Sequence, residues 1–160
     1  ERYYEEEGRA ELTPRDFGIL MHRVFENAAT TDEIYTAIEA MTQDGVLDEK
    51  EAPRLRELVE KALADPVTAE WFGGRWQVVR NENEIILPGS GTTRRPDRVM
   101  TDGERAVVVD YKFGDRETAR HRKQIREYLR LLRQMGYTRT EGYLWYVRLG
   151  RTERVEEKED

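Results

Sequence analysis

The segment of residues 96–113, PDRVMTDGERAVVVDYKF, is the feature that most constrains the fold. Two arms flank the dipeptide Asp102-Gly103, and this dipeptide favours a two-residue hairpin turn because both central positions of a type I′ turn need positive φ. A turn at that point places Asp97 of the first arm opposite Val108 of the second. The segment therefore predicts a β-hairpin with a register that can be checked.

The two faces of the second arm differ in chemistry. One face is apolar and predicts core: Val107, Val109, Tyr111 and Phe113. The other carries Asp110 and Lys112, with Asp97 as a diagonal neighbour of Asp110 at roughly 7–8 Å between backbones. Spacing alone leaves two explanations open. This face is either the solvated side of an edge hairpin, or a pair of carboxylates that binds a divalent cation such as Mg²⁺, which prefers hard oxygen ligands.

The rest of the chain divides into helical and strand-like parts. Three helices are predicted before residue 65, with starts at Thr13-Pro14, at Thr30 to Glu33 and at Asp48 to Glu51. Strand patterns run from Trp76 through the hairpin, a long helix follows over 117–136, and a last strand begins at Glu141. Residues 151–160 are predicted as a charged tail, of which EEKED at 156–160 is expected to be frayed. The fold class is α/β with an N-terminal helical layer.

Charge is unevenly distributed along the 160 residues. The formal net charge is -6, yet residues 71–150 carry 16 Lys or Arg against 10 Asp or Glu. A basic segment in a chain that is acidic overall favours a polyanion as the binding partner. The chain has no cysteine, which excludes thiol nucleophiles, disulfides and iron–sulfur clusters. With no signal-like or membrane-spanning segment, we expect a cytoplasmic protein that does not bind membranes.

The hairpin residues carry a family resemblance. Pro96-Asp97 followed by Asp110-Tyr111-Lys112 resembles the PD-(D/E)XK nuclease motif, and VVVDYKFG resembles its form in the C-terminal nuclease domain of RecB/AddA-type helicase–nucleases. Two further matches lie in the predicted helices: Gly18-x-x-x-His22-x-x-x-Glu26 and Gln124-x-x-x-Tyr128. The similarity extends over about residues 14 to 147.

The resemblance implies a fold, a cofactor and a set of site residues. The fold would be restriction-endonuclease-like, a mixed sheet flanked by helices, with 71–150 as its catalytic core. His22, Asp97, Asp110 and the Tyr111 carbonyl would hold Mg²⁺, for which Mn²⁺ would substitute. Lys112 would orient or activate the attacking water. Remaining members of the implied site are Gln124, Tyr128 and one acid of an earlier strand, either Glu84, which we favour, or Glu82.

The same resemblance implies DNA as the partner, in single-stranded form. Basic residues expected to contact its phosphates are Arg94, Arg95, Arg98, Arg120, Lys123 and Arg126. The chain begins at Glu1 without methionine, and we expect residues 1–160 to be one nuclease domain of a longer helicase–nuclease, with the motor in the same parent chain and a second subunit as a further partner. The function predicted is metal-dependent DNA hydrolysis in repair or recombination. Two alternatives stay open, a catalytically silent scaffold or DNA-binding module of the same fold, and a nuclease acting on RNA or branched DNA.

Overall fold

The computed structural model describes residues 4–5, 8–9, 14–81, 85–86, 93–94, 96–113 and 118–158. Its helices are α1 (Pro14–Glu26), α2 (Thr31–Gln43), α3 (Glu51–Ala62), α4 (Pro66–Trp71) and α5 (Thr118–Gln134). Its strands are β1 (Tyr4–Glu5), β2 (Gly8–Arg9), β3 (Val78–Asn81), β4 (Ile85–Ile86), β5 (Thr93–Arg94), β6 (Arg98–Asp102), β7 (Arg105–Lys112), β8 (Arg139–Tyr146) and β9 (Arg151–Val155). A 3₁₀ turn, Val147–Leu149, joins the last two strands.

A five-stranded mixed sheet organises the described part of the chain. Its strand order is β3-β6-β7-β8-β9, and every neighbouring pair is antiparallel except β7 and β8, which are parallel. The parallel pair requires a crossover, which α5 supplies between the two strands. β1–β2 and β4–β5 form separate two-stranded ladders. This architecture confirms the predicted α/β class with a mixed sheet between helices.

Two apolar clusters lie on opposite faces of the sheet. The larger includes residues of α1 to α4 packed on Val107, Val109 and Tyr111. The smaller lies under α5, whose Ile125 and Leu129 pack on the face that Val108 presents. Strand β7 is the middle strand and is buried on both faces. The view of its polar face as the solvated side of an edge hairpin is therefore wrong, because α5 covers that face.

The predicted helix starts agree with the structure. Helix α1 begins at Pro14, and the Thr30 hydroxyl accepts a hydrogen bond from the Glu33 amide to cap α2. Before α3, the Asp48 carboxylate accepts from the amide of Glu51, whose own carboxylate accepts from the Asp48 amide. These reciprocal bonds satisfy amides that have no partner inside a helix. No described helix has the length and apolar character needed to cross a membrane.

Two sequence expectations are corrected at the C-terminal side. Residues 151–155, predicted as part of the charged tail, form β9, the antiparallel edge strand beside β8. Arg122 of α5 binds Glu153 of this strand through two hydrogen bonds of 2.6 and 2.8 Å, so a charged residue of the predicted tail holds the strand to the helix. The helical spacing of Met135 with Ile125 and Leu132 predicts burial, but Met135 is 61% exposed because α5 ends at Gln134.

The hairpin forms with a register different from the predicted one. The last ladder pair before the turn is Asp102 with Arg105, so Gly103 and Glu104 form the loop, and Gly103 supplies the positive φ of 59°. Relative to the expected pairing, partners shift by two residues. Such a shift leaves every side chain on its predicted face but changes its cross-strand neighbour. Asp97, one residue before the ladder begins, therefore lies level with Asp110 instead of Val108.

Candidate active site

The two hairpin acids are tied together by backbone hydrogen bonds at the open end of β6. The Asp97 amide donates to Asp110 Oδ1 at 3.2 Å, and the Tyr111 amide donates to Asp97 Oδ2 at 2.6 Å. Each carboxylate thus accepts from the main chain of the opposite arm, where the ladder would otherwise continue. Charge-assisted bonds of this kind fix both carboxylates in place.

His22 of α1 reaches the acid pair from the other side of the sheet. Its Nδ1 lies 3.7 Å from Asp97 Oδ1, and its ring centroid lies 5.6 Å from that of Tyr111 and 5.1 Å from that of Phe113. One turn earlier, a Cβ added to Gly18 would lie 3.3 Å from the Phe113 ring. The glycine of the Gly18-x-x-x-His22 pattern therefore admits an aromatic side chain of the protein, which in turn supports the imidazole.

Asp110 and Lys112 lie beneath α5 and are 8% and 6% exposed. Burial, followed by the nearby charge of Asp97, raises the pKa of Asp110 to about 7, against the opposing effects of the Asp97 amide, Lys112 and His22. A buried carboxylate and a half-buried one this close repel each other when both are ionised. The arrangement is one that a cation stabilises.

The donor set fits a hard divalent cation only in part. The carboxylates of Asp97 and Asp110 are the oxygen ligands that Mg²⁺ prefers, and their mutual repulsion favours a cation between them. Within the described ranges, however, no three His, Cys, Asp or Glu side chains form a group that could hold a metal ion alone. Main-chain oxygen, water or substrate oxygen would have to complete the coordination, as is usual for Mg²⁺.

Gln124 and Tyr128 lie one turn apart on α5, and the structure places them differently from the acids. Tyr128 is 3% exposed within the cluster under the helix, and burial raises its pKa to about 12. Gln124 is half-buried one turn closer to the start of α5. For the part of the chain that the structure describes, neither side chain hydrogen-bonds to Asp97, Asp110 or Lys112. Their predicted roles in the site remain predictions.

The predicted phosphate contacts lie in different surroundings. Arg120 and Lys123 are exposed on α5, whereas Arg126 donates to the backbone oxygen of Glu156 at 3.3 Å. Arg94 lies in β5. Arg95 lies outside the described residues, as do the two strand acids Glu82 and Glu84.

Arg98 does not contact phosphate as expected, because its side chain is fully buried. Its guanidinium donates to the backbone oxygens of Ala28, Ala29 and Trp71 at 2.7, 2.8 and 2.8 Å, and lies 4.0 Å above the Phe72 ring. Sequence reasoning missed this structural role. The available signal was the two apolar residues that follow Arg98, which place the arginine in a buried strand.

The chain matches the model of a known protein family. The model of the PD-(D/E)XK nuclease superfamily matches residues 1–160. No curated protein matches the chain. The matched region includes the acid pair, Lys112 and His22, and the mixed sheet between helices agrees with the restriction-endonuclease-like fold of that superfamily.

Proposed function

The chain belongs to the PD-(D/E)XK nuclease superfamily, whose members are generally metal-dependent nucleases, and from this premise we propose that it hydrolyses phosphodiester bonds of DNA with Mg²⁺ as cofactor. The observation that carries the proposal is the acid pair. Asp97 and Asp110 are fixed by reciprocal backbone hydrogen bonds and lie on the same face of the sheet as Lys112. Hydrolysis of a phosphodiester needs negative charge to hold a cation and positive charge beside the phosphate.

Each site residue has a role that follows from its position. Asp97 and Asp110 would hold the cation, together with His22 and the Tyr111 carbonyl. When bound, Mg²⁺ polarises a phosphate oxygen and lowers the pKa of a bound water. Lys112, two residues after Asp110 on the same face, would orient the attacking water and compensate negative charge developing on the phosphate. Gln124 and Tyr128 are proposed to shape the site from α5.

The finer assignment is to the RecB/AddA-type branch of the superfamily. It is supported by the VVVDYKFG sequence and by the histidine on α1 near Asp97. In that setting residues 1–160 would be the nuclease domain of a longer DNA repair or recombination protein, and a helicase motor would deliver single-stranded DNA to the site. The acidic helical layer of residues 1–65 is the surface proposed to face that motor.

The alternative is a scaffold or DNA-binding module that keeps the fold without chemistry. The absence of a complete metal-ligand group among the described side chains is the observation that favours it. The two proposals differ in one measurable property. A nuclease must bind a divalent cation at the acid pair, whereas a silent module need not.

The test is cleavage of matched single-stranded DNA, duplex DNA and RNA oligonucleotides with Mg²⁺ or Mn²⁺, alongside calorimetric titration of each cation. Asp97→Asn, Asp110→Asn and Lys112→Met should each lower the cleavage rate at least about a hundredfold. Asp102→Asn is the matched control, because Asp102 is an exposed acid of the same hairpin. Wild-type rates in all three site variants would overturn the mechanism. Absence of both cation binding and cleavage in the wild-type chain would favour the silent module.

A further inference from the structure

Helix α5 has two flanks with different electrostatic surroundings. On the flank facing the C-terminal segment, residues 151–157, the arginines of α5 already bind residues of that segment. Arg122 pairs with Glu153, Arg126 donates to the Glu156 backbone oxygen, and Arg133 pairs with Glu157. Charges compensated in this way attract a phosphate less strongly, since an approaching phosphate must compete with the protein's own acceptors.

The opposite flank faces the β3 edge of the sheet. Tyr128 of α5 lies in one cluster with Val99 of β6, and Val99 is the cross-strand partner of Arg80 in β3. Directly paired residues in a ladder point to the same face of the sheet. Arg80 therefore projects toward α5 on its Tyr128 side. In agreement, the positive charge of Arg80 opposes the burial that raises the pKa of Tyr128 to about 12.

Arg80 is also close to the acid pair. Asp97 precedes Val99 by two residues, so Arg80 and Asp97 are diagonal neighbours across β3 and β6, at roughly 7–8 Å between backbones. The Arg80 side chain is exposed, and it forms no ion pair or hydrogen bond with any residue that the structure describes. An exposed guanidinium beside two carboxylates is placed to bind the same phosphate group that a cation at those carboxylates would bind.

On the basis of the nuclease function proposed above, we propose that the nucleic-acid backbone passes between α5 and the β3 edge, where Arg80 binds the phosphate at or next to the bond to be cut. The polyanion thus approaches by the Gln124 and Tyr128 flank of α5. The Arg122, Arg126 and Arg133 flank holds the C-terminal strand and segment in place and does not contact substrate. The proposal assigns phosphate binding to Arg80 and not to Arg122, Arg126 or Arg133.

The experiment measures affinity for a labelled 20-nucleotide single-stranded DNA by fluorescence anisotropy between 50 and 200 mM salt. The parent protein carries Asp110→Asn, so that DNA binding can be measured with Mg²⁺ present while cleavage is suppressed. Adding Arg80→Ala should lower affinity about three- to tenfold at the lowest salt and reduce the slope of log affinity against log salt by about 0.7, as expected for one lost phosphate contact on a single strand. Arg80→Lys should keep the slope.

Two arginines serve as matched controls. Arg133→Ala removes an α5 arginine on the engaged flank, and Arg54→Ala removes an exposed arginine of α3, which packs on α2 and the 3₁₀ turn. Both should leave affinity within twofold of the parent. Unchanged affinity in Arg80→Ala, or a larger loss in Arg133→Ala, would overturn the proposed path.

Failure of the path and failure of the nuclease function give different results. If the wild-type chain cleaves DNA and Arg80→Ala cleaves equally well, the path is wrong and the nuclease stands. If the chain binds DNA through Arg80 but cleaves nothing, the path stands and the chemistry is wrong. If neither the wild type nor the Asp110→Asn parent binds DNA at low salt, both are overturned.

Discussion

Asp97 and Asp110 join the two arms of the hairpin, because each carboxylate accepts a hydrogen bond from the main chain of the opposite arm. The amide of Asp97 donates to Asp110 Oδ1 at 3.2 Å, while Asp97 Oδ2 accepts at 2.6 Å from the amide of the residue after Asp110. The result is two carboxylates fixed side by side at the open end of a hairpin, one of them 8% exposed. Such a pair costs stability when both groups are charged and no cation is present.

The acid pair should therefore lower the stability of the metal-free protein. Asp110→Asn removes one charge but keeps an oxygen able to accept from the Asp97 amide, so we expect the free energy of unfolding to rise by about 1 kcal/mol. Urea unfolding in EDTA measures this change. Mg²⁺ at millimolar concentration should stabilise the wild type and leave Asp110→Asn nearly unaffected. Equal stabilisation of both proteins by Mg²⁺ would place the cation elsewhere.

Arg98, whose side chain is fully buried, should be essential for stability. Its guanidinium donates to three backbone oxygens at the ends of α1 and α4. Arg98→Ala leaves those buried oxygens without a donor, so we expect a loss on the order of 3 kcal/mol in urea unfolding.

Arg98→Lys is the control for charge alone. One ammonium cannot reproduce the planar fork of donors, so most of the loss should remain. A lysine variant as stable as wild type would show that charge, not geometry, is what the site requires.

Gly142 in β8 allows α5 to approach the sheet. A Cβ at this position would overlap Ile125 Cγ2 and lie 3.1 Å from Leu129 Cδ1. Gly142→Ala should therefore destabilise the protein by about 1–3 kcal/mol, because the helix must move away from the sheet. A double-mutant cycle with Ile125→Ala checks the cause: the two changes should be less than additive, because the second removes the overlapping atom. Strict additivity would rule out this contact as the reason.

Glu141 gives the protein a pH-dependent stability. Its carboxylate binds Arg105 at 2.6 Å and accepts from the Tyr143 hydroxyl at 3.0 Å, and the Arg105 guanidinium is the main reason that its pKa is lowered. A carboxyl group whose pKa is lower in the folded state stabilises the fold above its unfolded pKa, about 4.3, and loses that effect as pH falls through its folded pKa. Wild type should thus lose more stability than Glu141→Gln between pH 5 and pH 2.5.

Unfolding free energies at both ends of that range measure the difference, expected at about 1 kcal/mol for a partly exposed ion pair. Glu70→Gln is the control, since Glu70 binds the same arginine but is 47% exposed. It should change the pH dependence less than Glu141→Gln does. A larger change in Glu70→Gln than in Glu141→Gln would assign the pH dependence to Glu70.

Interactions between residues close in sequence account for most of the helices and strands of this protein and for the proximity of the two acids in its candidate site. The Thr30 and Asp48 caps, the proline at the start of α1 and the alternation along β7 act between residues close in sequence, so their consequences were predictable. The proximity of Asp97 to Asp110 also followed from the hairpin. Its register did not, because sequence near Asp102-Gly103 allows two loops that differ by one residue in position.

Which charged residues are paired, buried or exposed depends on the tertiary structure. Residues 151–155 have the composition of a solvated tail, yet they pair with β8 and engage Arg122. Arg98 has the charge of a phosphate ligand but lies in the core, and Arg80, with the same charge, is exposed beside the acids. Their environments depend on contacts between residues distant in sequence, which form only when the helices and the sheet pack together.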